Sequence, residues 1–377
     1  MPSPNPPSRV ASVHSTSTSP RPRETGNYPS RCAENDLRAG QKAFGADRYH
    51  EALFYFDRAT SGDEANPEAW YRKGNCLHVL KRNLEAARCY DLALELDPTR
   101  TTAWNNKGIV LTGLGRTGSA IRCYDRALAI DPADATAWFN KGSCLHALLR
   151  FEDALACYAQ AARLAPSDAE AWVQQGICMF RLGRPAESVA SNERALQLQE
   201  GNFEAWLNRG VGLYALGQCA AALNCFLEAV RLRPEDHRAW YNRGTALHAQ
   251  GRYSDALAAY DRALALDPRQ SRAWLNKGAT LQCRGNYEQA IRCYDRALKY
   301  DPSAALAWRN RGFCLMQSER LEEALRSYER VLGINPRDAW VRKAKQATEE
   351  QIFHSQPALC RSASTARSAP DLRAGNA

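Results

Sequence analysis

Residues 103–132 read AWNNKGIVLTGLGRTGSAIRCYDRALAIDP. Trp104, Gly108 and Leu111 stand at i, i+4 and i+7, which makes one stripe of a helix. Ala120, Tyr124 and Ala127 repeat that spacing and make the facing stripe of a second helix. Small residues at the crossing let the two helix axes approach at the short end of ~8–10 Å. Gly115-Arg116 turns the chain between them. Asp131-Pro132 stops the second helix, because proline cannot continue it and restricts the residue before it.

The same unit recurs along the chain. Trp70, Trp104, Trp138, Trp172, Trp206, Trp240, Trp274 and Trp308 are spaced by 34 residues, each preceded by Ala and followed four residues later by Gly. A fixed period of this length marks a stacked two-helix repeat. Complete units run from 67–100 to 305–338, and an earlier one at 33–66 has Asp36 in place of Trp. A polar residue there suits a terminal unit with no neighbour on that side. After Pro336 the period breaks, and Trp340, Ala344 and Ala347 predict the apolar stripe of a capping helix over 339–352.

These residues resemble the tetratricopeptide (TPR) family, whose unit carries Trp, Leu, Gly, Ala, an aromatic, Ala and Pro at fixed offsets. The resemblance covers residues 33–338 and implies an all-α, right-handed superhelical solenoid of antiparallel helix pairs. Nine repeats plus the cap are expected. One systematic departure is Lys or Arg before the Gly (Lys73, Lys107, Lys141, Arg209, Arg243, Lys277 and Arg311), whose aliphatic stems can cover the surface that Leu covers elsewhere.

Charge and cysteine bound the function. The net charge is +9, but residues 1–32 contribute +3 and 353–377 contribute +2, so the body carries only +4. That is a weak footprint for a phosphate binder. Residues 1–32 are Ser, Pro, Thr and Arg with almost no large apolar groups, 353–377 are similar, and the reading is disorder for each. Of 13 cysteines, nine fall at two fixed repeat positions, and none forms a CxxC pair. They read as small packing residues, which suits a reducing compartment. With no apolar run near a membrane span, a cytoplasmic protein is expected.

No Walker loop, HExxH or nucleophile elbow is present, and Gly210-x-Gly212-x2-Ala215 lies inside a helix, the wrong context for a dinucleotide fingerprint. His78, His146 and His248 share one offset but lie two or more repeats apart, too far to share a metal; they read as groove-lining or surface residues. Neither catalysis, cofactor nor metal is expected. The remaining class is a scaffold for other proteins.

The functional signal is a row of carboxamides two residues after the Trp: Asn106, Asn140, Gln174, Asn208, Asn242, Asn276 and Asn310, with Arg72 at its head. It resembles the asparagine ladder of O-linked N-acetylglucosamine transferases, which implies contact with the backbone of a peptide in the concave groove. A carboxamide offers both a donor and an acceptor, so it can pair with any passing peptide unit. The alternative is that each amide bonds a neighbouring helix. In repeats five and six all three inner offsets are apolar: Val173, Ile177 and Phe180, then Leu207, Val211 and Tyr214. Glu170 and Glu204 border them on one side, Arg238 and Arg272 on the other. An apolar floor between opposed charges reads as a partner site, with internal packing as the alternative. Repeat five is also the most degenerate, with Ser188, Asn192 and Glu200-Gly201 for Ala, aromatic and Asp-Pro. The carboxylate clamp of chaperone-binding TPR domains is not matched, since Thr102 and Thr136 stand where it needs cations. The expected function is to bind an extended or helical partner segment; the rival is RNA binding through the basic tails.

Overall fold

The structure is a computed structural model that describes residues 30–355. Both segments read as disordered tails lie mostly outside the described residues. Among the described residues there are nineteen helices and no strand. The chain forms two compact units, one up to Asn208 and one from Arg209 onward.

The first unit holds α1 (Ser30–Gly45), α2 (Tyr49–Gly62), α3 (Pro67–Val79), α4 (Asn83–Leu96), α5 (Thr101–Gly113), α6 (Thr117–Ile130), α7 (Ala135–Ala147), α8 (Phe151–Leu164), α9 (Ala169–Arg181) and α10 (Pro185–Leu198). The boundary falls within α11 (Phe203–Ala215). The second unit continues with α12 (Cys219–Leu232), α13 (His237–Ala249), α14 (Tyr253–Leu266), α15 (Ser271–Cys283), α16 (Tyr287–Tyr300), α17 (Ala305–Gln317), α18 (Leu321–Ile334) and α19 (Ala339–Ser355). From α1 to α10 and again from α12 to α19 each helix packs on its neighbours in sequence, and first helices of successive repeats also touch, as α3 does α5 and α15 does α17. First helices therefore line one face of each stack.

Each pair except that of repeat five, where Gly176 meets Asn192, is held by a glycine meeting a ring. A Cβ on Gly108 would lie 2.5 Å from the Tyr124 ring, and one on Gly278 would lie 2.6 Å from that of Tyr294. The turn between first and second helix needs a left-handed residue. Gly115 supplies it at φ +72°, and Arg116 N–H reaches back to the Leu111 carbonyl at 2.8 Å.

The eight repeat tryptophans are only half-buried. Each Nε1–H donates to the carbonyl six residues earlier, at 2.8–3.2 Å, and so pins the loop entering its own repeat. The cation before the glycine lies over the same ring, 4.8–5.7 Å from its centroid at Lys73, Lys107, Lys141, Arg243, Lys277 and Arg311. It also meets an acid of the preceding second helix: Lys73 with Asp57 at 2.9 Å, Lys107 with Asp91, Lys141 with Asp125 at 2.7 Å. The charge is thus paired between repeats.

Two expectations at the ends change. Asp36 is buried, 8% exposed, because Arg58 donates to it at 3.1 Å. On α19 the buried stripe is Val341, Ala344 and Thr348, one residue round from Trp340, Ala344 and Ala347. Val341 and Thr348 are fully buried, and the threonine hydroxyl is satisfied by the Ala344 carbonyl at 2.7 Å. Trp340 stays 46% exposed, its ring edge-on to Tyr328 and beneath the Arg309 guanidinium.

Candidate functional site

The row of carboxamides falls on the first-helix face, and its hydrogen bonds follow the residues one repeat earlier. Asn106 Nδ2 donates to Asn75 Oδ1 at 2.9 Å and to the Tyr71 hydroxyl at 3.3 Å. Asn140 donates to Asn105 at 3.2 Å. In the second unit Asn276 donates to the Tyr241 hydroxyl at 3.1 Å and lies 3.5 Å from Thr245 Oγ1. Asn310 is half-buried beside Tyr294, whose hydroxyl donates to Gln282 Oε1 at 2.7 Å. Asn75 and Thr245 accept in turn from the buried Tyr90 and Tyr260 hydroxyls, at 2.8 and 3.4 Å. Burial pushes those phenols up from their ordinary value, so they remain donors.

Where the earlier repeat offers no acceptor, the pattern breaks. The residues one repeat before Asn208 at those offsets are Val173 and Ile177, and Asn208 Nδ2 is enclosed with no partner. Before Asn242 they are Leu207 and Val211, and Asn242 turns to its own helix, donating to the Arg238 carbonyl at 2.9 Å. Gln174 likewise donates to Glu170 on its own helix at 2.7 Å. Asn140 and Gln174 are buried, 3% and 6% exposed. These two amides are therefore fold-internal, which corrects their reading as groove contacts.

The apolar patch is divided in the same way. Val173 is fully buried in a cluster with Ala169, Ala195 and Ala205, and Leu207 is 5% exposed. Both are packing residues, because the first of the three inner offsets in repeats five and six is turned into the stack. Ile177 and Phe180 remain partly exposed in the first unit, as do Val211 and Tyr214 in the second, with Tyr214 at 36%. Arg238 forks onto Asp236, 2.8 Å at its closest, and Arg272 is exposed.

Sequence reasoning missed a cluster on repeats two and three. Glu68 holds both Arg72, at 2.6 Å, and Arg100, and the two guanidiniums lie 5.7 and 5.1 Å from the Tyr71 ring centroid. Although burial raises the Glu68 pKa, these two cations outweigh it and hold the carboxyl below its ordinary value. Its signal was Arg100 four residues before Trp104, where the next repeat has Asp134. The histidines also differ from expectation. His146 is buried against Phe151 rather than groove-lining, and His248 meets Thr280 at 2.9 Å. Among the described residues no group of three His, Cys, Asp or Glu side chains is placed to hold a metal ion. No described helix is long and apolar enough to cross a membrane.

Comparison with known proteins agrees with this architecture. Sequence models of the tetratricopeptide repeat match residues 67–100, 99–167, 147–205, 207–271, 245–281 and 275–339. Among curated sequences none matches the chain. Among solved structures the chain is similar to the Cut9–Hcn1 hetero-tetramer of the APC/C, with TM-score 0.55 and 16% identity over 80% of this chain and 63% of that one. It is also similar to the C-terminal part of a TPR repeat-containing protein from Cytophaga hutchinsonii, with TM-score 0.54 and 18% identity over 63% of this chain and 97% of that one. A tetratricopeptide repeat protein from Parabacteroides merdae gives TM-score 0.53 and 16% identity, over 66% and 98%. At these identities the likeness is one of fold. The helix pairs, the glycine–ring contacts and the matched residues together establish that the chain belongs to the tetratricopeptide repeat family, whose fold is a scaffold for protein–protein interaction.

Proposed function

We propose that this protein binds a segment of another polypeptide on its first-helix face, with the contact centred on Phe180, Ile177 and Asn208. The observation that carries this reading is the enclosed Asn208 nitrogen. Its counterparts Asn106, Asn140 and Asn276 spend their donors on the repeat before, whereas Asn208 faces Val173 and Ile177 and has no acceptor among the described residues. An unmade bond of this kind costs ~1–3 kcal/mol. No acceptor among the described residues holds the nitrogen, so the half-exposed side chain can swing to meet a carbonyl of a passing peptide. Ile177 and Phe180 give that peptide an apolar surface, and an aromatic anchor of this type concentrates binding energy. Proteins of this family are generally non-catalytic scaffolds, and the reading needs no chemistry beyond binding.

The test is selection of displayed peptides on the full chain, followed by affinity measurement on variants. Asn208→Ala should weaken binding of the selected peptides by ~0.5–1.5 kcal/mol and leave the melting temperature unchanged. Asn106→Ala should do the reverse, since its amide ties two repeats together. Peptides that bind Asn208→Ala and Phe180→Ala at full affinity would place the function elsewhere.

A further inference from the structure

A second surface lies on the opposite side of the helix pairs in the second unit. Arg262 on α14, Arg292 and Arg296 on α16, and Arg326 and Arg330 on α18 are all exposed. None of the five makes a hydrogen bond or ion pair with another described residue. The acid that precedes three of them is already committed across the stack. Asp261 is held by Lys277, Asp295 by Arg311 at 2.6 Å, and Glu329 by Lys345 at 3.2 Å. Farther along the same helices Arg252 takes Asp255 at 2.5 Å, and Arg320 takes Glu323 at 2.7 Å and Glu288 at 3.4 Å. Among the described residues of α14, α16 and α18, only Glu322, one turn before Arg326, keeps an uncommitted carboxylate. The repeat-to-repeat ion pairs thus consume the carboxylates of this face and leave its arginines outward.

The bias is regional. Residues 252–350 hold 18 Lys and Arg against 13 Asp and Glu, whereas residues 33–208 hold 20 against 23. The face is also not purely basic. One turn after Arg262, Arg296 and Arg330 the same stripes end in Leu266, Tyr300 and Ile334, which are half-exposed, the last at 46%. A guanidinium offers a planar fork that fits a carboxylate in two bonds. Residues four apart on a helix are neighbours on one face, so each of α16 and α18 presents two such forks followed by an apolar side chain.

We propose that this face docks an acidic polypeptide segment in which carboxylates alternate with apolar side chains. A phosphate backbone would satisfy the arginines but has nothing to set against Leu266 and Ile334. No aromatic side chain is fully exposed among the five arginines to stack a base. The segment is a different ligand from the one assigned to Phe180 and Asn208, and the two surfaces are separately testable.

Fluorescence anisotropy on the full chain decides it, with a labelled peptide of glutamates interleaved with leucines, its glutamine counterpart and a single-stranded RNA oligomer as probes. The glutamate peptide should bind about tenfold more tightly than the glutamine one, the product of several exposed pairs of ordinary strength. The variant Arg292→Gln/Arg296→Gln/Arg326→Gln/Arg330→Gln should lose that difference at an unchanged melting temperature, and Ile334→Ser should weaken both peptides, which share the leucines, and leave the RNA unchanged. Asn208→Ala should leave all of this intact. Equal binding of the two peptides, equal binding by the arginine variant, or tighter binding of RNA than of the glutamate peptide would overturn the proposal.

Discussion

Gly108 and Tyr124 are so close that a methyl group on the glycine would sit 2.5 Å from Cε1 of the ring. The ring is 1% exposed and closed in on its other sides by the repeat that follows, so it has no room to retreat. Gly108→Ala should therefore destabilise the first unit by ~1–3 kcal/mol, the usual cost of overpacking a filled core. Gly118, in the first turn of α6, has nothing within 4 Å of its notional Cβ. Gly118→Ala should stabilise by up to ~1 kcal/mol. Urea melts of the two variants should move in opposite directions.

Leu149 occupies a position that five other repeats give to glycine. Its φ is +60°, beside +72° to +75° at Gly115, Gly183, Gly217, Gly251 and Gly285, and its side chain is 72% exposed. The left-handed conformation costs an L-residue ~1–2 kcal/mol, and the exposed side chain offsets little of it. Leu149→Gly should raise the melting temperature. A fall would mean that Leu149 packs on something in solution.

How much of this was legible in the sequence depends on whether a side chain faces its own repeat or the next. Trp104, Gly108, Tyr124 and Pro132 recur at fixed offsets because each is used within one helix pair, and the period exposed them at once. The Asn row was equally visible, but its meaning lay in other residues. Asn106 and Asn208 look identical in the sequence; only Tyr71 and Asn75, 35 and 31 residues before Asn106, distinguish a spent amide from an unsatisfied one. The Lys107–Asp91 pairing was readable too, from an acid after the ring and a cation sixteen residues on. The α19 stripe was misread because Trp340 outweighed Val341 and Thr348 in a hydrophobic reading, although a buried threonine can satisfy its hydroxyl on its own helix.

The cysteines should separate by reactivity. Burial pushes the thiols up to about 12 at Cys76, Cys178 and Cys314, and to about 11 at Cys89 and Cys157. A thiol reacts through its thiolate, so these five should resist alkylation of the native protein at pH 8. Cys283 is exposed and should be modified first, with Cys32 and Cys219 between. Peptide mapping after brief iodoacetamide treatment reads the order directly. Early labelling of Cys178 would show repeat five open on that timescale.

His146 gives the first unit a pH dependence of known sign. Burial, helped by the charge of Arg181, holds its pKa below the ordinary 6.5. Above 6.5 the ring is neutral in both states and folding is unaffected. As pH falls below 6.5 the unfolded chain takes up the proton first, so stability declines until the folded pKa is passed, then levels. The first-unit melting temperature should therefore drop between pH 7 and pH 5, and less so in His146→Leu. An equal drop in both proteins would assign the effect to other groups.

The last prediction concerns repeat five, where the polar substitutions are buried rather than exposed. Asn192 stands where other repeats have Tyr or Phe and is fully buried, as is Ser188. The Asn192 amide donates to the Ser188 carbonyl at 2.8 Å, but its Oδ1, the Ser188 hydroxyl oxygen and Gln175 Oε1 find no partner among the described residues. Each such atom costs ~1–3 kcal/mol, and the ring contacts that hold the sister repeats are missing as well. Gly176 has been kept, so the seat for a ring is still there. Ser188→Ala with Asn192→Tyr should therefore stabilise the first unit by ~1–3 kcal/mol. In native hydrogen exchange, amides of α9 and α10 should open before those of α5 and α6, since an array of this kind yields repeat by repeat. The double variant should bring the two pairs together. If α9 and α10 already exchange with the rest of the first unit, the buried polar atoms carry no local weakness, and solvent must reach them in the folded state.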